Sequence, residues 1–199
     1  MSKTVAVVSQ FLALTLWMLA APSIDKGKTA GLPSAPLTIE IFSDFQCPAC
    51  RVLHTQILPL LMRDYVVPGK AYLINRDFPL AMHNHSMEAA AYACAAARIG
   101  KYEQVADTLF RNQPAWAADG KVFETVAAVL TPAEQAKVRA LAKDPGVLSE
   151  VQEELHEGQT VRVNQTPTMV ITARGKKYPV AGVMNYDLLK HLLDELSTR

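Results

Sequence analysis

The sequence has little cysteine: Cys47, Cys50 and Cys94 are the three in 199 residues, too few for a small scaffold stapled by disulfides. It has no block of like charge. Lys and Arg number 20 against 19 Asp and Glu, so a formal charge of +1 lacks the electrostatic footprint of a nucleic-acid binder. Past residue 21 no apolar run is long enough to span a bilayer, which excludes a polytopic membrane protein. Internal repeats and low-complexity segments are missing as well. What is present is 50% hydrophobic and 20% charged, the balance of a globular chain that buries a core without staples.

The N-terminus is set apart by its pattern. One cation, Lys3, precedes an apolar run from Phe11 to Ala21, the length of a signal-peptide core and short for a membrane span. Residues 1–21 are therefore expected to be a signal peptide or an uncleaved N-terminal anchor. Residues 22–36 carry Pro22, Pro33 and Pro36 among Gly, Ser and Lys, and are expected to be a linker. Export implies a periplasmic or other extracytoplasmic compartment in which disulfides can form.

Two of the cysteines stand three apart, and their setting gives them chemistry. Leu37 to Phe42 is rich in β-branched and aromatic residues, bounded by Pro36, and predicts a strand. From Arg51 to Met62 the apolar residues Val52, Leu53, Ile57, Leu60 and Leu61 recur at helical spacing. Cys47-Pro48-Ala49-Cys50 thus lies where a strand feeds a helix, with Cys47 near the N-cap and Pro48 at the first helical position. Unpaired N–H groups and the positive end of the helix dipole favour an anion there, so Cys47 is expected to be the more acidic thiol. Cys50, one turn on, can reach back to it. An inert buried pair is one alternative. A zinc site drawing on Cys94, His54, His83 and His85 is another, although their spacing matches no ligand loop.

Beyond the motif, Lys70 to Asn75 predicts a second strand. Some seventy residues of helical pattern follow: Ser86 to Ile99, Lys101 to Asn112, Lys121 to Leu130, a helix opened by the capping box Thr131-Pro132-Ala133-Glu134, and Pro145 to about Val161. Strands return at Thr168 to Thr172 and Lys177 to Ala181, and a last helix runs from Tyr186 to Leu196, capped by Asn185. Removing the helical block leaves an α/β core split around an insertion, with its halves over residues 37–83 and 162–199 and the insertion over 84–161. Pro167 stands directly before the returning strand, where a residue without an N–H can sit.

The combination of Phe42-Ser-Asp-Phe-Gln-Cys47-Pro-Ala-Cys50, Asn75-Arg-Asp-Phe-Pro-Leu80, Ala93-Cys94-Ala95 and Thr166-Pro167-Thr168 resembles the DsbA-like thiol:disulfide oxidoreductases of the thioredoxin superfamily. The resemblance runs from Leu37 to Leu196 and implies a thioredoxin fold with an inserted helical domain. It implies Cys47 as exposed nucleophile, Cys50 as resolving thiol, Pro48 and Ala49 as the supporting turn, and Thr166 with a cis Pro167 as the loop that holds substrate. Cys94 then becomes a small buried apolar residue. Two positions depart from the pattern. Ala49 stands where the strongly oxidising members have histidine, and Ile41 stands six positions before Cys47, where members often carry a buried acid, with Glu40 beside it on the opposite face. Asp44 is expected to satisfy loop backbone groups and His54 to be a solvated helix residue.

The implied activity is disulfide exchange with cysteine-containing exported proteins, without organic cofactor or metal. The resemblance also implies a membrane redox partner that reoxidises, or in the reverse direction reduces, the pair. A dithiol oxidase is the first expectation. A reductase or isomerase, or a thioredoxin-fold binding module or chaperone whose dithiol is incidental, stand as alternatives. Substrate identity, the direction of electron flow and oligomeric state leave no mark on the sequence.

Overall fold

In the computed structural model residues 26–198 are described; the expected leader, residues 1–21, lies outside them. Five strands form one mixed sheet: β1 (Thr29–Ala30), β2 (Leu37–Ser43), β3 (Ala71–Asp77), β4 (Thr168–Ala173) and β5 (Lys176–Ala181), in the order β1-β3-β2-β4-β5. Among these described strands only β2 and β3 run parallel, and the helix between them is the crossover that a parallel pair requires. Alternation along β2 sends Leu37, Ile39 and Ile41 to one face, where they pack with Leu53, Ile57 and Leu61 from the crossover and with Leu189 and Leu193 of the C-terminal helix. Phe42 points the other way and meets Phe78 edge-on, with ring centroids 6.3 Å apart.

The crossover is not a regular helix. It opens as α1 (Pro48–Val52), widens to a π turn over Leu53–Ile57, tightens to α2 (Leu58–Leu61) and widens again over Met62–Val66. Pro59 supplies a reason: it has no N–H to donate one turn back, and the wide turn ahead of it absorbs the mismatch. The helix expected over Arg51 to Met62 therefore starts earlier and ends later.

Between β3 and β4 lies the helical insertion: α3 (Ser86–Ala97), α4 (Tyr102–Arg111), α5 (Gln113–Asp119), α6 (Val122–Ala127), α7 (Pro132–Leu141) and α8 (Pro145–Thr160); α9 (Tyr186–Thr198) closes the described chain. The alanines of α3 let neighbours approach from all sides, and every residue of it except Met87 and Glu88 is buried. The Thr131–Glu134 capping box is present in both directions, and Asn185 Oδ1 accepts from Asp187 N. Gly158 of α8 lies against Phe78 and Phe42, where a Cβ would come within 2.6 Å of the Phe78 ring, so α8 seats on the sheet only through a glycine. The short α5 was not anticipated, because Pro114 masks a helix it in fact starts.

The linker expected over 22–36 is corrected by the structure, since residues from Lys26 onward belong to the fold. Thr29 and Ala30 pair with Ile74 and Leu73 at the edge of β3. Asn75 Nδ2 donates to the Lys28 carbonyl at 3.1 Å, and Gly27 passes so close to α3 that a Cβ would meet the Ala97 carbonyl at 2.7 Å. Lys28 is wholly buried: Nζ donates to Asp77 Oδ2 at 2.7 Å and to Glu154. A single lysine in a Gly/Pro-bearing stretch gives no periodicity, so only its partners reveal its place.

Replacing Lys28 by Met should leave two carboxylates buried without their shared cation, at a cost of about 3–5 kcal/mol. Urea unfolding measures it. A variant within about 1 kcal/mol of wild type would show that the ammonium does not fix this segment.

Candidate active site

The reactive end of the sheet is built where β2 stops. Cys47 has extended backbone (φ −74°, ψ 122°) as the N-cap of α1, and Pro48 follows as the first helical residue. Its side chain makes no capping bond, so the free amides of the first turn stay directed at whatever charge the sulfur carries. Cys50, one turn inside, is completely buried and accepts from the Asp44 amide at 3.4 Å. Cys47, Cys50 and Cys94 are all free thiols here.

The two neighbouring sulfurs are driven in opposite directions. A hydrogen bond from the Cys50 thiol lowers Cys47 to about 5 against the opposing effect of burial, helped by Thr166 and by the amides of Cys50 and Ala49. Burial, and the bond it gives to Cys47, push Cys50 far above the usual thiol range. At neutral pH the pair is one thiolate and one thiol. The charge sits on Cys47, which is not exposed as the resemblance implied but buried beneath the Thr166 loop, with 8% of its surface left open.

The loop before β4 comes to the same place. Thr166–Pro167 is a cis peptide, and the Cys47 thiol donates to the Thr166 carbonyl at 3.3 Å. Thr166 Oγ1 is buried with no hydrogen-bond partner among the described residues, and a Cys47 thiolate gives it an acceptor. Cys47, Cys50, Thr166 and Pro167 are therefore brought together. Pro48 and Ala49 form the first turn between the two sulfurs.

Several residues that hold this turn were not legible beforehand. Gln113, buried at the start of α5, donates from Nε2 to the carbonyls of Phe45 (2.7 Å) and Cys47 (2.9 Å), so the insertion grips the redox turn directly. Asp44 does more than serve its own loop. Its carboxylate accepts from Gln46 N at 2.7 Å and Leu80 N at 2.8 Å, takes the Ser86 hydroxyl, and lies 2.8 Å from His83 Nδ1. His54 is not a solvated residue: its ring stacks on Phe110 with centroids 4.5 Å apart, and burial lowers its pKa. Cys94 is buried as expected but not as an apolar filler, because its thiol donates to Asp77 Oδ2 at 3.0 Å. Among the described residues no group of three or more His, Cys, Asp or Glu is arranged to hold a metal. No described helix is long and apolar enough to cross a membrane.

Comparison with known proteins agrees with this geometry. The Thioredoxin family model matches residues 24–195. Disulfide bond formation protein D of Bacillus subtilis is 22% identical over 185 residues, covering 87% of this chain and 78% of the relative. The crystal structure of alpha-DsbA1 from Wolbachia pipientis superposes with a TM-score of 0.74 at 19% identity, over 90% of this chain and 94% of that one. BdbD from Bacillus subtilis, in its oxidised form, gives a TM-score of 0.71 at 21% identity over 89% and 96% of the two chains. These likenesses establish the fold, a thioredoxin domain with a helical insertion.

Thiolate absorbance near 240 nm should rise with a midpoint at about pH 5 and be lost in Cys47→Ser. Because the folded value lies below that of a free thiol, about 8.5, the dithiol fold gains stability that is complete above that pH and disappears as pH falls through about 5. A first titration near 8.5 would remove the assigned activation.

Proposed function

This chain belongs to the thioredoxin family, and from that premise we propose that it is an exported DsbA-like thiol:disulfide oxidoreductase that works chiefly as a dithiol oxidase. The observation that carries the reading is the split pair itself, a stabilised Cys47 thiolate over a buried Cys50 thiol, faced by the Thr166 carbonyl. As oxidase, the Cys47–Cys50 disulfide is attacked at Cys47 by a substrate thiolate, and Cys50 leaves with the electron pair. A second substrate thiol then attacks the substrate sulfur of the mixed disulfide. Cys47 departs as a stable thiolate and the new disulfide leaves with the substrate.

Direction follows from which form the protein stabilises. At pH 7 the thiolate of a group with pKa about 5 outnumbers its thiol about a hundredfold, which favours the dithiol and raises the potential by up to about 60 mV, less what solvent screens. That favours giving disulfides away. Ala49 supports the opposing reading, a reductase or isomerase, since it brings an amide but no cation to the turn.

The Thr166 carbonyl lies 3.3 Å from the Cys47 sulfur just before β4, which supports a role for this backbone in pairing with an extended peptide whose cysteine reaches Cys47. Substrates would be exported proteins with paired cysteines, and a membrane redox partner would restore the disulfide. The apolar residues 11–21 support export.

Cys50→Ser should accumulate mixed disulfides with client proteins, whereas Cys47→Ser should trap none, as non-reducing gels will show. Equilibration with glutathione should give a potential above about −200 mV; a value near −270 mV would make the protein a reductase.

A further inference from the structure

Cys50 poses a problem that the catalytic turn does not solve. Its sulfur is buried and holds its proton through the ordinary pH range. In the proposed reaction it must nonetheless gain a proton each time it leaves Cys47 and lose one each time the disulfide re-forms. The turn offers it an amide from Asp44 and the thiol of Cys47, and neither is an acid or base that can do this.

The Cys50 sulfur borders a cleft of about 310 Å³ to which Thr166 does not contribute. Cys50, Ser43, Ile41, Asn75, Asp77 and Lys28 all contribute to its wall. Leu53 and Met62, the first residues of the two wide π turns of the crossover, line it as well. Ser43 and Asp77 are partners in the parallel β2–β3 register, so their backbones lie one strand spacing apart, about 4.8 Å. Ser43 is also among the groups that favour the charged form of Cys50 against burial. Cys50, Ser43 and Asp77 therefore form a row, ending on the buried ammonium of Lys28 and the carboxylate of Glu154.

We propose that Ser43 and Asp77 carry the Cys50 proton between its buried thiol and the Lys28–Asp77–Glu154 cluster, with the cleft supplying water. The inference rests on the thiol-exchange reading above. When a substrate thiolate attacks Cys47, the Cys47–Cys50 bond breaks and its electron pair goes to the Cys50 sulfur. Ser43 gives that sulfur its hydroxyl proton and takes another from the cluster, directly or through one water, and cleft water reloads the cluster. Re-formation of the disulfide runs the same transfers backwards. No further oxidant is consumed in the proton step.

The cluster is suited to the task. One ammonium and two carboxylates leave it one proton short of neutrality, and burial holds Glu154 at about 7. Its surroundings are charged from every side. Arg76 of β3 lies 3.8 Å from Glu154 and 3.1 Å from Glu157; Glu150 of α8 lies 3.8 Å from Lys28 and is paired with Arg98. The Cys94 thiol of α3 bonds Asp77, and the Tyr102 phenol of α4 lines the cleft, both kept protonated by burial. His54, Glu103, Asp107 and Arg111 line the cleft as well, and Glu103 and Arg111 are exposed.

The test is the rate at which reduced glutathione opens the Cys47–Cys50 disulfide of the full chain from pH 5 to 9, by rapid acid quench and thiol labelling. Rates are corrected for the fraction of glutathione thiolate. The wild-type rate should fall as pH rises through about 7, where the cluster loses its proton. Ser43→Ala and Asp77→Asn should each slow opening at pH 6 by about tenfold or more and flatten the profile, and Ser43→Thr should restore it. The glutathione equilibrium of Ser43→Ala at pH 7 should stay within about twofold of wild type, because Cys50 is protonated in the dithiol either way; a merely structural serine would move both or neither. Should Asp77→Asn fail to fold, Ser43→Ala carries the test alone. Wild-type rate and profile in Ser43→Ala would overturn the relay and leave the oxidoreductase standing. A wild-type protein that does not exchange with glutathione would instead sink the functional reading beneath it.

Discussion

The reactive end of this protein depends on placing one sulfur at the mouth of a helix and another a turn inside it. The first position faces unpaired amides and keeps 8% of its surface; the second keeps none. A negative charge shared between them therefore settles on Cys47, and the hydrogen bond from Cys50 holds it there. Neither sulfur would behave this way alone. Burial of Cys50 is what makes it a hydrogen-bond donor at neutral pH, and the donor is the largest influence lowering Cys47.

That asymmetry needs a turn that cannot drift, and three separate parts of the chain hold it. Asp44 ties the end of β2 to the segment after β3 through Leu80, His83 and Ser86. Gln113 reaches down from α5 to two carbonyls of the turn. The loop of Thr166 closes the third side. Phe45, Cys47 and Cys50 consequently share one apolar cluster with Val105, Leu109 and Trp116, residues of the insertion. The insertion is thus a structural part of the site rather than a lid added to a complete domain.

How much of this was legible follows from the range of each signal. The strand–turn–helix around Cys47, the Thr131–Glu134 box and the Asn185 cap are local, written in residues within a turn of one another, and the structure has them where the sequence put them. Lys28, Gln113 and Asp44 act on partners tens of residues away. A lysine among glycines looks solvated until Asp77 and Glu154 surround it, and β1 is only two residues long. The π turns escape for a different reason. Their apolar spacing still satisfies a helical pattern, while the register shift belongs to Pro59 and to the packing beneath.

Ile41 shows how a missing residue can redirect a mechanism. On the face of β2 beneath the redox turn it is buried and apolar, and its neighbour in β3 is the neutral Asn75. No carboxylate can stand at that point of the strands. Two residues further along both strands, the same ladder sets Ser43 beside Asp77, where the chain does supply a hydroxyl and an acid. Two residues is one full period of a strand, so both pairs face the same cleft. An acid at the end of β3 must be stabilised from outside the sheet, because no strand neighbour can pair it. Lys28 from the N-terminal edge and the Cys94 thiol of α3 donate to its carboxylate, while its backbone N–H donates to Glu154 of α8, which shares the Lys28 ammonium. The position of one proton acceptor therefore accounts for two features that otherwise look unrelated: an N-terminal segment fastened to the sheet edge by a buried lysine, and an insertion helix whose acid is turned inward.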